Sequence, residues 1–145
     1  ELIIKNNSVT VIKKQLKSFS FDATQTPDLF PPLVVLASCC DGISKIFGVD
    51  RLINKESNRG LTLKEEFSKL GIKINMDSEC LSIEGKSRIK GAIVDSHNDH
   101  RLAMALSIMA SVSDHAITIK NSHAVAKSYS KFYDDLNLIS DLNLS

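Results

Sequence analysis

Two polar segments of this chain carry the residue types that acid–base chemistry and anion binding require. They are residues 55–59 (KESNR) and residues 97–101 (HNDHR). Each segment follows a short run that is typical of a strand and precedes an apolar periodicity that predicts a helix. Loops at the carboxyl ends of strands are where α/β proteins bind ligands. Both segments are therefore candidates for a functional site.

The second segment indicates an anion site more strongly than the first. Its polar residues give way at once to the apolar run 102–106. A helix N-terminus offers free amide donors and a positive dipole end, and Arg101 adds a planar fork that fits a carboxylate or a phosphate. A simple helix cap formed by Asn98 or Asp99 would explain one of these residues but not all five.

Simpler explanations stay open for two further patterns. Glu56 and Arg59 are three residues apart and could face one pocket, but spacing alone favours solvated charges at a helix start. His97 and His100 invite a metal site, but two ligands without a third at suitable spacing are weak evidence for one.

The order of predicted elements contains an internal repeat. Asp22 and Asp95, and likewise Asp41 and Asp114, are 73 residues apart at equivalent places in the pattern. The predicted order is a hairpin, then strand-helix-strand-helix-hairpin, then strand-helix-strand-helix. This order predicts an α/β fold of duplicated βαβαββ modules. A doubly wound parallel sheet is the competing fold, but the chain lacks the Gly-rich first turn of the nucleotide-binding versions.

The helices of the two modules are predicted to start near further charged residues. A helix is expected from Pro27 to Cys40, but Pro31 and Pro32 within it leave open an irregular first turn or a later start. Asp28 is either an acid that favours the helix dipole or a general base. The repeat offset relates Asp28 to Arg101. A last helix is expected over Lys127 to Ile139, and the same offset places Lys127 beside the position equivalent to Lys55.

Taken together, these candidates combine cations with two acids, which indicates a substrate that carries phosphate and carboxylate groups. The seven residues are Asp28, Lys55, Glu56, Arg59, His100, Arg101 and Lys127.

Composition excludes several other classes of function. Across 145 residues the net charge is only +1 and aromatic residues make up 6% with no Trp, which argues against a nucleic-acid partner. No apolar run approaches the ~18 residues of a membrane span, so no membrane partner is expected. Three cysteines without metal spacing predict a reducing compartment. The chain starts at Glu1 rather than Met, and we expect it to be part of a longer protein.

Four short motifs carry a resemblance to one enzyme family. Residues 26–29 (TPDL), 54–59 (NKESNR), 98–104 (NDHRLAM) and 126–129 (AKSY) resemble the 5-enolpyruvylshikimate-3-phosphate synthase (3-phosphoshikimate 1-carboxyvinyltransferase) family, in the family's order and spacing. The related UDP-N-acetylglucosamine enolpyruvyl transferases are less similar at the second and third motifs.

The resemblance implies a fold and a place within it. The family has two domains built from six βαβαββ modules, an inside-out α/β barrel. This chain would be the C-terminal part of the second domain, with a preceding hairpin at 1–18, a module at 19–90 and another at 91–145. The other domain, which also contacts both substrates, would be absent.

The resemblance also implies an activity. The family transfers the carboxyvinyl group of phosphoenolpyruvate to the 5-hydroxyl of shikimate 3-phosphate, through a tetrahedral intermediate and without metal or organic cofactor. We expect a cytoplasmic enzyme whose partners are these two substrates and its own missing domain. Alternatives are a non-catalytic anion-binding module and a relative of the UDP-N-acetylglucosamine enzymes. This chain alone is expected to fold but to be inactive.

Three matched residues belong to the proton-transfer side of that reaction. The resemblance makes Asp28 a contact of shikimate 3-phosphate and a candidate base for its 5-hydroxyl. Lys55 matches a lysine near that hydroxyl, and Glu56 matches the group proposed to move a proton at the phosphoenolpyruvate methylene. Which of Asp28, Glu56 and Lys127 moves which proton stays open.

Four matched residues belong to phosphoenolpyruvate binding. Arg59 and Arg101 match the pair that clamps its carboxylate, His100 lines the same pocket and Lys127 matches the lysine near its phosphate. Asn58 departs from the family, which commonly has Asp there, so one charge is lost beside Arg59.

Overall fold

The computed structural model describes residues 2–12, 14–52, 58–85 and 88–139. The strands are β1 Leu2–Lys5, β2 Ser8–Val11, β3 Ser20–Asp22, β4 Ile43–Phe47, β5 Lys73–Met76, β6 Cys80–Glu84, β7 Ala92–Asp95 and β8 Ile117–Lys120. The α-helices are α1 Phe30–Ser38, α2 Arg59–Lys69, α3 His100–Ser111 and α4 Phe132–Ile139, and 3₁₀ helices cover Pro27–Leu29, Val49–Leu52 and Ser122–Lys127. In the described ranges, no helix combines the length and apolar character that crossing a bilayer requires.

Two sheets and three helices build the main core, and the largely exposed hairpin β1–β2 lies outside it. The hairpin β1–β2 stands by itself, β3-β4-β6-β5 form a mixed sheet, and β7 pairs with β8. In β4, buried Ser44 and Ile46 alternate with exposed residues, as a strand covered on one face requires. Phe30 of α1, Phe67 of α2 and Leu102 of α3 pack in one buried cluster. The three helices therefore pack together on the sheets, and their N-termini are available for a common site.

The predicted repeat is confirmed at the level of strand register. β3 pairs with β4 in parallel with Ser20 opposite Lys45. β7 pairs with β8 in parallel with Ile93 opposite Thr118, which are the same two positions shifted by 73 residues. Because a helix connects the two strands in each case, both segments are strand-helix-strand units with one topology.

The turn after the first strand repeats in the same way. The N–H of Ala23 donates to the carbonyl of Phe47 at 3.0 Å, and the N–H of Ser96 donates to the carbonyl of Lys120 at 3.1 Å. These pairs are again related by the 73-residue offset. The repeat therefore includes the backbone that leads into α1 and α3.

Two α-helices begin later than the first position predicted for them. The helix expected from Pro27 begins at Phe30, after a 3₁₀ turn, which is the later start that the two prolines left open, because Pro31 and Pro32 lack the N–H groups that would bond to residues 27 and 28. The helix expected from Lys127 begins at Phe132. Lys127 ends a 3₁₀ helix, since the φ of −138° at Ser128 leaves the helical region.

We predict that Gly48→Ala destabilises the protein far more than Gly60→Ala. Gly48 has a φ of +98°, and an added Cβ would lie 2.7 Å from the amide nitrogen of Thr24. Strain of this kind costs about 1–3 kcal/mol. At Gly60 in α2 the nearest atom is the flexible Met76 Sδ at 3.1 Å, and helix propensity favours Ala by about 1 kcal/mol. Urea unfolding of the two variants measures the change in the free energy of unfolding, and equal changes would contradict the prediction.

Candidate active site

The turn between β7 and α3 ends in a helix cap. Asp99 caps α3, since its Oδ1 accepts hydrogen bonds from the N–H of Arg101 at 2.9 Å and of Leu102 at 3.4 Å. His97 and Asn98 before it have φ values of 49° and 59°, a left-handed conformation that is uncommon outside glycine. Asp99, rather than Asn98, is thus the cap. The backbone N–H groups of Arg101 and Leu102, which the sequence predicts as donors to an anion, already donate to Asp99.

Arg59 is buried between two carboxylates. Its Nε lies 2.7 Å from Asp99 Oδ2, and its Nη1 lies 2.9 Å from Asp28 Oδ1. The Arg59 and Asp99 side chains have no solvent-exposed surface. Asn58 caps α2 by accepting the N–H of Leu61 at 3.3 Å, as an Asp would. Among the described residues, the two aspartates thus hold the guanidinium, and Asn58 serves as the cap of α2.

Asp28 links Arg59 to a second arginine. Its Oδ2 lies 2.9 Å from Arg101 Nη2, so each carboxylate oxygen contacts one guanidinium. The side chains of Asp28 and Arg101 are 45% and 36% exposed. Ion pairs with this exposure contribute only about 0–1 kcal/mol to stability. The Asp28–Arg101 pair is therefore partly exposed to solvent, and it joins two positions that the 73-residue offset relates.

Two more predicted residues lie at the same end of α3. His100 is the first residue of the helix and is partly buried. Lys127 is exposed, and its Nζ donates to the carbonyl oxygen of Asn98 at 2.7 Å. Lys55 and Glu56 lie outside the described residues. The other five predicted residues are brought together by the start of α3.

An apolar groove of about 280 Å³ runs between α1 and α3 from the Asp28–Arg101 pair. Six further side chains line it: Leu29, Pro32, Val35, Met104, Ala105 and Ile108. The pair thus stands where a polar ligand can approach from solvent, whereas Arg59 is covered.

Glu66 is a buried acid that the sequence analysis missed. Its Oε1 lies 2.8 Å from His97 Nε2, its Oε2 accepts the N–H of Asp95 at 2.9 Å, and Lys69 Nζ lies 2.7 Å from both oxygens. Burial disfavours the charged carboxylate, but bonds from Lys69, His97 and Asp95 outweigh it and hold the Glu66 pKa below its usual value. Glu66 lies seven residues after Arg59 on the same face of α2, and this spacing is the sequence signal that could have revealed Glu66.

The described residues contain one cluster of metal-type ligands. Ligand atoms of Glu65, Glu66 and His97 all lie within 4.8 Å of one another. His100 is not in this cluster, so the His-x-x-His pair does not converge there. Since Glu66 is already bonded to His97, the cluster is explained as a hydrogen-bonded link between α2 and the turn before α3.

Comparison with known proteins agrees with this arrangement. The sequence model of the family described as EPSP synthase (3-phosphoshikimate 1-carboxyvinyltransferase) matches residues 2–136. The chain belongs to the EPSP synthase family. The family expectation drawn from the four motifs is therefore confirmed.

Individual EPSP synthase relatives cover nearly all of this chain. A 3-phosphoshikimate 1-carboxyvinyltransferase of Clostridium acetobutylicum is 41% identical over 92% of the chain and 31% of its own length. One from Methanocella arvoryzae is 40% identical over 89% of the chain and 30% of its own length. The chain thus spans about a third of the length of these relatives.

Solved structures confirm the predicted α/β fold of enolpyruvyl transferases. The EPSP synthase from Acinetobacter baumannii matches with a TM-score of 0.79 and 29% identity, over 87% of this chain and 31% of that one. The enolpyruvyl transferase NikO from Streptomyces tendae has a TM-score of 0.75 over 97% of this chain and 33% of its own. At 21% identity, NikO shares the fold alone.

We predict that Asp99→Asn costs about 3–5 kcal/mol of unfolding free energy, because it leaves the buried Arg59 charge without the carboxylate that lies closest to it among the described residues. Asp28→Asn, at a half-exposed position, is the matched control and should cost less than half as much. Denaturant unfolding of both variants measures the difference. Equal losses would mean that burial does not set the strength of these two contacts.

Proposed function

We propose that the full-length protein containing this chain transfers the carboxyvinyl group of phosphoenolpyruvate to the 5-hydroxyl of shikimate 3-phosphate. The observation that carries the proposal is the open Asp28–Arg101 pair, with Lys127 at the same helix start, in a chain of the EPSP synthase family. The proposed substrates are both anions, and each carries a carboxylate and a phosphate. This cation set matches their charges.

Arg101 and Lys127 are proposed to bind phosphoenolpyruvate. Arg101 is partly exposed and uses Nη2 for Asp28, and its planar fork suits a carboxylate. The exposed Lys127 amine is held at the turn by Asn98 and suits a phosphate as a point charge. We propose that His100, one residue before Arg101, lines the same pocket.

Arg59 is proposed as the second half of the carboxylate clamp. Because Arg59 is buried, a substrate carboxylate reaches its guanidinium only when a neighbouring group moves away. The half-exposed Asp28, bonded to Nη1, is the group whose release would open that side of the guanidinium. Asp99 keeps Nε in place meanwhile. Substrate binding would therefore exchange one carboxylate for another at Arg59.

The proposed chemistry is addition followed by elimination. A base takes the proton of the 5-hydroxyl, its oxygen bonds to C2 of phosphoenolpyruvate, and an acid protonates the C3 methylene. The resulting tetrahedral intermediate then loses a C3 proton, and the bond from C2 to the phosphate oxygen breaks. We propose that Asp28, Glu56 and Lys127 share these proton transfers, with Lys55 near the hydroxyl.

This chain is proposed to be the C-terminal part of the second domain of a two-domain cytoplasmic enzyme. The proposed divisions are the hairpin at 1–18 and modules at 19–90 and 91–145. The remaining two thirds of a full-length relative would supply the other domain and its substrate contacts. A two-domain site gains its positioning from closure, which one part cannot provide.

The proposal predicts phosphate release by the full-length protein only when both substrates are present, and no turnover by this chain alone. A coupled phosphate-release assay with shikimate 3-phosphate and phosphoenolpyruvate measures both. An inactive full-length protein would favour an anion-binding module. Turnover with UDP-N-acetylglucosamine in place of shikimate 3-phosphate would favour the related transferases.

Two variants of the full-length protein separate proton transfer from binding. Glu56→Gln should lower kcat by about 10²–10⁴, the typical contribution of a positioned acid–base group, with little change in KM. Arg101→Ala should weaken phosphoenolpyruvate binding by about 1.5–3 kcal/mol, because it removes a charged hydrogen-bonding fork. Steady-state kinetics in each substrate distinguishes the two effects.

Controls accompany both variants. Arg101→Lys keeps the charge but loses the fork, so its phosphoenolpyruvate KM should fall between those of wild type and Arg101→Ala. Thermal melts test the simpler role of Glu56 as a helix-start acid, worth about 0.3–1 kcal/mol. Near-normal turnover of Glu56→Gln with only a lower melting temperature would refute the catalytic role.

A further inference from the structure

α2 holds the turn before α3 at two points, and only one of them belongs to the matched motifs. Arg59 at the start of α2 bonds to Asp99. Two helical turns further on, Glu66 bonds to the side chain of His97 and to the backbone N–H of Asp95. Residues seven apart lie on the same helix face. The carboxylate of Glu66 is 1% exposed and the His97 side chain is 40% exposed, so this second contact is partly buried, whereas the contact of Arg59 with Asp99 is fully buried.

The held turn adopts a backbone that its equivalent in the first repeat does not. His97 and Asn98 have positive φ values. The equivalent residues, Thr24 and Gln25, lie within the described ranges and do not. Left-handed non-glycine residues persist where the surroundings over-determine them. Glu66 supplies such a surrounding contact, because it bonds to the side chain of His97 itself.

The conformation of this turn determines where two proposed ligand-binding cations lie. The carbonyl of Asn98 accepts the Lys127 amine at 2.7 Å. The next residue, Asp99, caps the helix that carries Arg101. A relaxed turn would therefore displace both Lys127 and Arg101 without touching either side chain.

We infer that Glu66 is a positioning residue for the proposed transfer, acting through His97 and the Asp95 amide on the turn that places Arg101 and Lys127. The inference rests on the proposed function. Glu66 itself does not touch the reacting groups in this account. Its loss should therefore weaken phosphoenolpyruvate binding specifically.

Three variants of the full-length protein test the role. Glu66→Gln keeps the side-chain size but removes the charge and one acceptor oxygen. His97→Asn keeps a residue that tolerates left-handed backbone but is too short to reach Glu66. Lys69→Ala is the matched control, because Lys69 also contacts Glu66 at 2.7 Å but, within the part of the chain that the structure describes, forms no hydrogen bond or ion pair with the turn.

The expected kinetic result is a selective change in KM. Glu66→Gln and His97→Asn should raise the phosphoenolpyruvate KM about 10-fold, within the ~10²-fold that a misplacement of about 1 Å can cost. The shikimate 3-phosphate KM should stay near the wild-type value, as should both KM values of Lys69→Ala. Hydrogen exchange should also become faster at the amides of residues 96–99 in the first two variants alone.

Each outcome decides for or against the role. Unchanged exchange at residues 96–99 in both variants overturns it, and so do equal rises in the two KM values. Lys69→Ala matching the other variants also overturns it, because a general loss of stability would then explain the data. If the wild-type protein has no transferase turnover, the proposed function fails, and exchange alone decides: faster exchange supports the positioning role, and unchanged exchange refutes it.

Discussion

The buried guanidinium of Arg59 is the constraint on which the rest of the site depends. A charge without solvent contact must be compensated by nearby carboxylates. Asp99 and Asp28 provide this compensation at 2.7 and 2.9 Å. Because these three residues come from the starts of α2, α3 and the 3₁₀ turn before α1, their pairing requires three helix starts to meet. The candidate site is the surface of that meeting point.

Burial separates the structural contacts from the contacts available to a ligand. Arg59 and Asp99 are covered and hold the elements together, whereas Asp28, Arg101 and Lys127 remain accessible to solvent. Asp28 belongs to both groups, since one oxygen contacts the buried arginine and the other contacts the open one. A ligand that displaces Asp28 would therefore also remove one contact of the buried Arg59 guanidinium.

Local patterns in the sequence were sufficient for the order of elements and for the 73-residue repeat of the strands. At the start of α1 they left two possibilities open, because Pro31 and Pro32 allow a later start than the apolar run alone predicts. They failed for contacts between distant residues. Nothing local distinguishes Arg59 from a solvated helix-start charge, and its partner Asp99 is 40 residues away. Glu66 resembles a surface acid until α2 is packed against the turn before α3. The placements of Lys55 and Glu56 stay predictions.

A double-mutant cycle between Arg59 and Asp99 tests the central claim most directly. Arg59→Met, Asp99→Asn and the double variant are compared by denaturant unfolding. Asn keeps an oxygen that can cap α3, and any change in the strength of that cap cancels from the coupling. If the buried pair holds the helix starts together, the coupling energy should reach about 2–3 kcal/mol, the upper end for residues in one network. A coupling below about 0.5 kcal/mol, the range of independent sites, would contradict it.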